Sequence, residues 1–496
     1  MSTATVSGAQ DLAVLADAVL LPGFVGPRAP DWLRRRIAGS LGGVCLFGSN
    51  IENPEQLRTL TDSLRAERED VVISIDEEGG GVTRLDAATG SRFPGAAALG
   101  RADDVDLTRR VGLAVGRLVG DSGITLNFAP CADVMVDRFN PVIGIRSFGS
   151  DPVLVARHTA AFVNGHQSAG VAACAKHFPG HGDTDADTHL SLAVIDSNLD
   201  LLRANAFLPF VAAIEAGVAS VMAGHLLVPA VDSLPASVSR RWLTEILRAD
   251  LGFRGAVVTD ALEMAAIAGN YGMVEGAVMA IEAGADLLCL GADDASPELL
   301  DSLSAALLAA VRSGRIPEAR LVEAAGRALA LSAGPAAAAT STVGPVDSEA
   351  DRELSEDAAR RALHVVGDIP PVRPGVLVVR CEAGRNFAIG SVPWGPLAAL
   401  PSRLGATELV VVKGGAVPIE LLSGASAVLL VTSDRHRYPW MEQTLSAVRR
   451  ARPDAVLIEM GTSDVRDQDA PAIASFGAGL ANNQAVVDVL THRTPR

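Results

Sequence analysis

Residues Val171–His189 read VAACAKHFPGHGDTDADTH. The first five are apolar without alternation, and the chain then turns at once to Lys176 and His177. A short unbroken apolar run fits a strand buried on both faces, the kind found in parallel sheets beneath helices. The same pattern recurs at Val44–Phe47, Val71–Ile75, Ile124–Phe128, Ala219–Met222, Ala256–Val258 and Leu287–Leu290. Helix-period stretches such as Leu201–Glu215 and Arg241–Ala249 lie between the runs. Seven such units, with a further strand available at Ala18–Leu21, predict a (β/α)8-type TIM barrel in an α/β chain. An open doubly wound sheet is the competing architecture.

Polar residues gather just after these runs: Asp76 and Glu77, Asp133, Lys176 and His177, His225, and Asp260. In a barrel all strand ends of one polarity open on one face, where active sites sit. Near Ala333 the pattern stops. Gly334–Pro345 reads GPAAAATSTVGP, a small-residue linker. A helix is expected over Asp347–Leu363, then apolar runs at Val376–Val379, Leu409–Val412, Val428–Val431 and Ala455–Ile458. The expected division is a catalytic domain over 1–333, a linker over 334–345 and a smaller α/β sandwich domain over 346–496.

Composition narrows the function. The 496 residues carry 42 Lys+Arg against 58 Asp+Glu, a net charge of −16, which argues against a nucleic-acid partner. Aromatic residues are 4%, too few for a long ring-lined binding surface. The five cysteines are scattered without CxxC spacing and read as buried thiols of a reducing compartment. Met1–Leu21 has no Lys or Arg, and no apolar run approaches the ~18 residues of a membrane span. The expectation is a cytoplasmic protein with no membrane partner.

Lys176–His189 holds three of the nine histidines and three aspartates. A calcium loop starting at Asp183 would need Gly sixth and Glu twelfth, where Thr188 and Val194 stand. A zinc site needs a closed ligand set that the spacing alone does not supply. A Gly/Pro-rich loop whose carboxylates satisfy backbone N–H groups is a second reading. The third is catalysis. Asp187 and His189 are two apart, so in an extended stretch both point the same way, and a carboxylate beside an imidazole suits general acid/base work. Asp260 closes an apolar run in FRGAVVTDALEM. It could cap a helix starting near Leu262 or act as a nucleophile, and spacing leaves both open.

At these residues the chain resembles glycoside hydrolase family 3, in its β-N-acetylglucosaminidase branch. KHFPGHGDTDADTH is similar at every fixed position to the signature K-H-F-P-G-H-G-x-T-x-x-D-[ST]-H. VVTDALEM resembles the nucleophile strand, ISIDEEGGGVTRL the D-Q-E-G-G-R-V-x-R segment, NPVIGIRSFGSDP the arginine-containing loop, and VMAGHLLVPAVD the fifth-strand segment. LSEDAARRALHVV and FGAGLANNQAVVDVL resemble the second domain of two-domain members more weakly.

The resemblance implies a catalytic nucleophile at Asp260, a general acid/base at His189 and its dyad partner at Asp187. It implies sugar-binding roles for Asp76, Arg84, Arg146, Lys176 and His177, and a further site role for His225. It implies no metal and no cofactor. Glu77 stands where Gln is usual and Gly81 where Arg is usual. The implied activity is a retaining exo-β-N-acetylglucosaminidase acting on peptidoglycan turnover fragments. The alternatives are an N-acetylglucosaminide phosphorylase, a metal-dependent hydrolase and a non-catalytic sugar-binding protein.

Overall fold

The apolar runs of the first two-thirds of the chain form eight strands: β1 (Leu20–Pro22), β2 (Gly43–Leu46), β3 (Val72–Ile75), β4 (Leu126–Asn127), β5 (Ala172–Phe178), β6 (Ser220–Ala223), β7 (Ala256–Thr259) and β8 (Leu288–Leu290). This computed structural model describes residues 9–184, 186, 192–334, 349–384, 388–390 and 392–492. Strands β2 to β7 form one parallel sheet in chain order. A Val258–Leu287 bridge leads from β7 towards β8, and β8 pairs in parallel with β1. The ring closes where the Gly42 N–H donates to Asp17 O at 3.0 Å. Backbones approach so closely there that a Cβ on Gly42 would lie 2.2 Å from Ala18 O. The sheet therefore curls into a TIM barrel rather than lying open.

The barrel interior is packed by Leu21, Cys45, Val72, Leu126, Cys174, Met222, Val258 and Cys289, with Ala328 and Leu331 in the same cluster. All five cysteines are buried thiols outside any disulfide. Burial above all pushes the Cys174 thiol up to about 12, so it packs as a small hydrophobe. Three helices start with one local grammar. Asn53, Asp151 and Ser296 each accept the N–H of a residue two or three further on, and Pro54, Pro152 and Pro297 follow at the first helical position. The few aromatics concentrate behind β5, where Phe178 meets Phe207, Phe210 and Trp242 at ring separations of 5.6, 5.4 and 6.0 Å.

The C-terminal sheet holds β9 (His364–Val366), β10 (Val376–Cys381), β11 (Thr407–Val411), β12 (Ala427–Thr432), β13 (Val456–Glu459) and β14 (Ala472–Ala474). Its order is β9-β14-β13-β12-β10-β11, with only β9 antiparallel. Successive side chains of one strand enter opposite cores. Leu377 and Val379 pack on one side, Val376 and Val378 on the other. That is an α/β sandwich, with helix Pro439–Ala451 against one face and Leu480–Leu490 against the other.

Contacts group the chain into two units: Met1–Glu77, Thr108–Asn140 and Ser150–Val346 in one, Glu78–Leu107, Pro141–Gly149 and Asp347–Arg496 in the other. Two loop excursions, after β3 and after β4, thus count with the C-terminal unit. Helix Ala96–Ala102 packs on helix Glu349–Ala362, which explains the first of these groupings. Among the described residues no helix is long and apolar enough to cross a membrane.

Candidate active site

Five neighbouring strand ends of the barrel carry polar side chains. Strand β3 delivers Asp76, the segment after β4 Asp133, β5 Lys176 and His177, the turn after β6 His225, and β7 Asp260. The strands are parallel, so these groups share the carboxyl-terminal face. Consecutive residues of a regular strand point to opposite sides, yet both Lys176 and His177 find partners at the site. The β5–β6 register shifts between Ala175 and Phe178, and this irregularity breaks the alternation.

Lys176 is 2% exposed, and its Nζ donates to Asp76 Oδ1 at 2.5 Å. Asn127 fixes the turn that follows Asp76: its Oδ1 accepts the Glu77 N–H at 2.9 Å and its Nδ2 donates to Glu77 O at 2.8 Å. The side-chain amide extends the sheet by one rung. His177 Nδ1 lies 2.7 Å from Asp133 Oδ2. The fully buried Asp133 carboxylate also accepts from the backbone N–H of His177 and of His181, the latter at 2.6 Å, and from the Cys131 thiol at 3.2 Å. Burial pushes the Asp133 carboxyl up, but His177 and His181 together outweigh it and hold it below its ordinary value. Nδ1 of His177 therefore carries a proton toward the carboxylate. Burial, followed by the nearby His177, lowers His181 to about 4, so its ring is neutral near pH 7.

Cys131, Asp133 and His177 bring their ligating atoms within 4.8 Å of one another. Their mutual hydrogen bonds account for this closeness, because thiol and imidazole both donate to the carboxylate. Sequence reading noticed Asp133 after its strand but gave it no role. The signal was a carboxylate set in the apolar stretch CADVMV, where burial without partners is costly.

Asp260 follows β7. Its N–H donates to Ala223 O at 2.9 Å, and its Oδ1 accepts the Ala261 N–H at 2.9 Å. No helix begins at Leu262. The next one is Ala265–Ala268, whose capping position is Met264, so the helix-cap reading of Asp260 falls. Nearby Glu263 has its carboxyl raised by burial, partly offset by the Gly291 N–H, with the Asp260 charge adding to the rise. His225 is fully buried, with Nδ1 2.7 Å from Ser237 Oγ and Nε2 2.9 Å from Ala261 O.

Arg84 and Arg146 lie in the loop excursions of the other unit. Arg84 Nη2 donates to Ala388 O at 3.0 Å. Arg146 forks onto Glu78 through Nε at 3.0 Å and Nη2 at 2.8 Å, and both side chains are buried. Asp187 and His189 lie outside the described residues.

Residues 33–331 match the profile of the glycosyl hydrolase family 3 N terminal domain. A β-hexosaminidase of Chromobacterium violaceum is 40% identical over 283 residues, which cover 55% of this chain and 78% of that one. A glycoside hydrolase family 3 β-N-acetylglucosaminidase from Paenibacillus sp. str. FPU-7 has a solved structure similar at TM-score 0.85 and 32% identity, over 98% of this chain and 97% of its own. NagZ from Neisseria gonorrhoeae, solved in complex with N-trifluoroacetyl-D-glucosamine, is 32% identical at TM-score 0.59, over 69% of this chain and 97% of its own. The barrel, the polar strand ends and these likenesses together make this chain a member of glycosyl hydrolase family 3, a glycoside hydrolase with β-N-acetylhexosaminidase activity.

Proposed function

We propose that this glycosidase is a retaining, exo-acting β-N-acetylglucosaminidase in which Asp260 is the nucleophile and His189, paired with Asp187, is the general acid/base. The observation that carries the reading is Asp260 itself. It is a carboxylate at a barrel strand end that caps no helix, held by the β6 backbone and by the peptide that follows it. In the first step its carboxylate attacks the anomeric carbon while protonated His189 gives its proton to the leaving oxygen. In the second, neutral His189 takes a proton from water, and that water breaks the glycosyl–Asp260 ester. The carboxylate is thereby regenerated.

The remaining roles follow from donor and acceptor types. The Asp76–Lys176 pair offers a carboxylate oxygen and an ammonium to vicinal hydroxyls, a bidentate pattern that fits a sugar edge. His177 serves a further hydroxyl, and sugar binding by Arg84 and Arg146 is what the family resemblance implies for them. The substrates are N-acetylglucosaminides released in cell-wall turnover, with N-acetylglucosamine linked to anhydro-N-acetylmuramic acid, and the enzyme works in the cytoplasm. A fluorinated N-acetylglucosamine donor tests the nucleophile: the trapped sugar is expected on the peptide containing Asp260, and labelling elsewhere overturns the assignment. Turnover of an aryl β-N-acetylglucosaminide in phosphate buffer should release free sugar. Release of sugar 1-phosphate would make the enzyme a phosphorylase instead.

A further inference from the structure

We infer that His225 does not touch the sugar but sets the position of the Asp260 nucleophile through the Ala261 carbonyl. This role rests on Asp260 being the nucleophile. His225 follows β6 by two residues and has no exposed surface. Its Nε2 is 2.9 Å from Ala261 O, which can only accept, so Nε2 carries the proton. In the neutral ring Nδ1 is then an acceptor, and the Ser237 hydroxyl at 2.7 Å is its donor. Ser237 is itself fully buried, in the short turn Ala236–Val238. Both ring nitrogens are thus committed inside the protein, which leaves neither for a substrate hydroxyl.

What they hold is the turn that bears the nucleophile. Asp260 N–H is tied to Ala223 O at 2.9 Å, Leu262 N–H to Cys289 O at 3.1 Å, and the Ala261 carbonyl between them to His225. Three consecutive residues are therefore anchored to β6, to β8 and to the imidazole. Without the imidazole the Ala261–Leu262 peptide is held only through its Leu262 N–H on Cys289 O, and its carbonyl end is loosened. The Ala261 N–H, on the other side of the same Cα, is the donor to Asp260 Oδ1, so a displacement of Ala261 is carried to the carboxylate. A nucleophile must sit in line with the anomeric carbon, and a displacement of ~1 Å can cost about 10²-fold in rate. His225 is accordingly a positioning residue whose effect falls on covalent bond formation rather than on sugar affinity.

The test uses the full chain with His225→Ala, His225→Gln and Ser237→Ala. The readouts are kcat and KM on an aryl β-N-acetylglucosaminide, the inhibition constant of free N-acetylglucosamine, and the rate and site of labelling by the fluorinated donor. We expect His225→Ala to lower kcat and the labelling rate by about 10²-fold, with KM and the inhibition constant within about threefold. His225→Gln keeps an N–H donor for Ala261 O and an acceptor for Ser237, and should recover at least about tenfold of the loss. Ser237→Ala should give a smaller loss of the same kind. If His225→Ala does not fold, the Gln and Ser237 variants carry the same kcat-against-KM test. A tenfold weaker inhibition constant with kcat unchanged would make His225 a sugar contact and overturn the inference, as would unchanged kinetics. Labelling of the unmutated enzyme at a residue other than Asp260 would instead remove the nucleophile assignment, and this role with it.

Discussion

Replacing Asp133 by Asn tests whether the buried carboxylate holds His177 in its working tautomer. Asp133 accepts four donors: His177 Nδ1, the His177 and His181 backbone N–H groups, and the Cys131 thiol. An amide keeps the shape but has one acceptor oxygen, and its NH2 must face at least one of those donors. The ring can escape only by moving its proton to Nε2, so that Nδ1 accepts from the amide. Nε2 is then the protonated nitrogen, the reverse of the tautomer that Asp133 imposes. One charge-assisted bond is lost, worth about 1.5–3 kcal/mol, and a buried N–H is left without an acceptor at about 1–3 kcal/mol. We expect the variant to lose about 3 kcal/mol of stability and 10–100-fold in kcat/KM on the aryl substrate. Urea unfolding gives the first number and initial rates give the second. A cycle with His177→Ala separates coupling from general damage. If the two substitutions add within about 0.5 kcal/mol in both assays, the carboxylate does not act through His177 and the reasoning fails.

His189→Ala should lower hydrolysis of a disaccharide by about 10²–10⁴-fold but spare a good aryl leaving group, and azide should restore turnover of the aryl substrate; equal losses on both substrates with no azide effect would make His189 a binding residue. Lys176→Met removes the cation paired with Asp76 at 2.5 Å, so kcat/KM should fall while Asp76→Asn in that background adds less than it does alone, as initial rates would show. Glu459 is fully buried at the end of β13, and burial, then the charge of Asp434, pushes its carboxyl from 4.5 up to about 7. A carboxyl raised on folding favours the folded state below the unfolded pKa, and that contribution is lost as pH rises through the folded value, here between about pH 4.5 and 7. Glu459→Gln should flatten this stretch of the stability curve by up to roughly 3 kcal/mol in chemical denaturation, and an unchanged slope would refute the assignment. His166, buried and lowered to about 4 by burial, has the opposite sign: its contribution is present above about pH 6.5 and lost as pH falls toward 4, so His166→Leu should shift the acid unfolding midpoint down.

Strand existence and the polar strand ends were legible because both are local. An unbroken apolar run followed by Lys176–His177 or by Asp260 needs no partner to be read. What escaped depends on distance. Asp133 lies 44 residues from His177, and nothing in the chain between them announces the pair. Strands β9 and β14 were missed for a different reason. His364–Val366 is three residues long and none is fully buried, while Ala472–Ala474 has one β-branched residue to mark it. The grouping of Glu78–Leu107 and Pro141–Gly149 with the C-terminal unit is invisible to any division made along the chain. The contacts that decide it join Ala96–Ala102 to a helix some 250 residues later.

The two departures from the family pattern turn out to be different in kind. At Gly81 a Cβ would sit 3.2 Å from Ile145 Cδ1 and 3.3 Å from Ile389 Cδ1. Those are tighter than ordinary contacts, so two isoleucine tips occupy the direction in which an arginine side chain would leave the backbone. The missing cation is therefore matched by apolar packing from two other segments, and restoring it alone would displace both. Glu77 has no such substitution around its backbone. Asn127 grips its N–H and its carbonyl, a contact that depends on no side chain at position 77. The backbone pairing of the turn that follows Asp76 is therefore independent of whether Gln or Glu stands at position 77. The departure at 77 sits in a turn held through its backbone, whereas the departure at 81 is packed by two side chains. Of the two, position 81 is the one where the departure is matched by side chains from other segments.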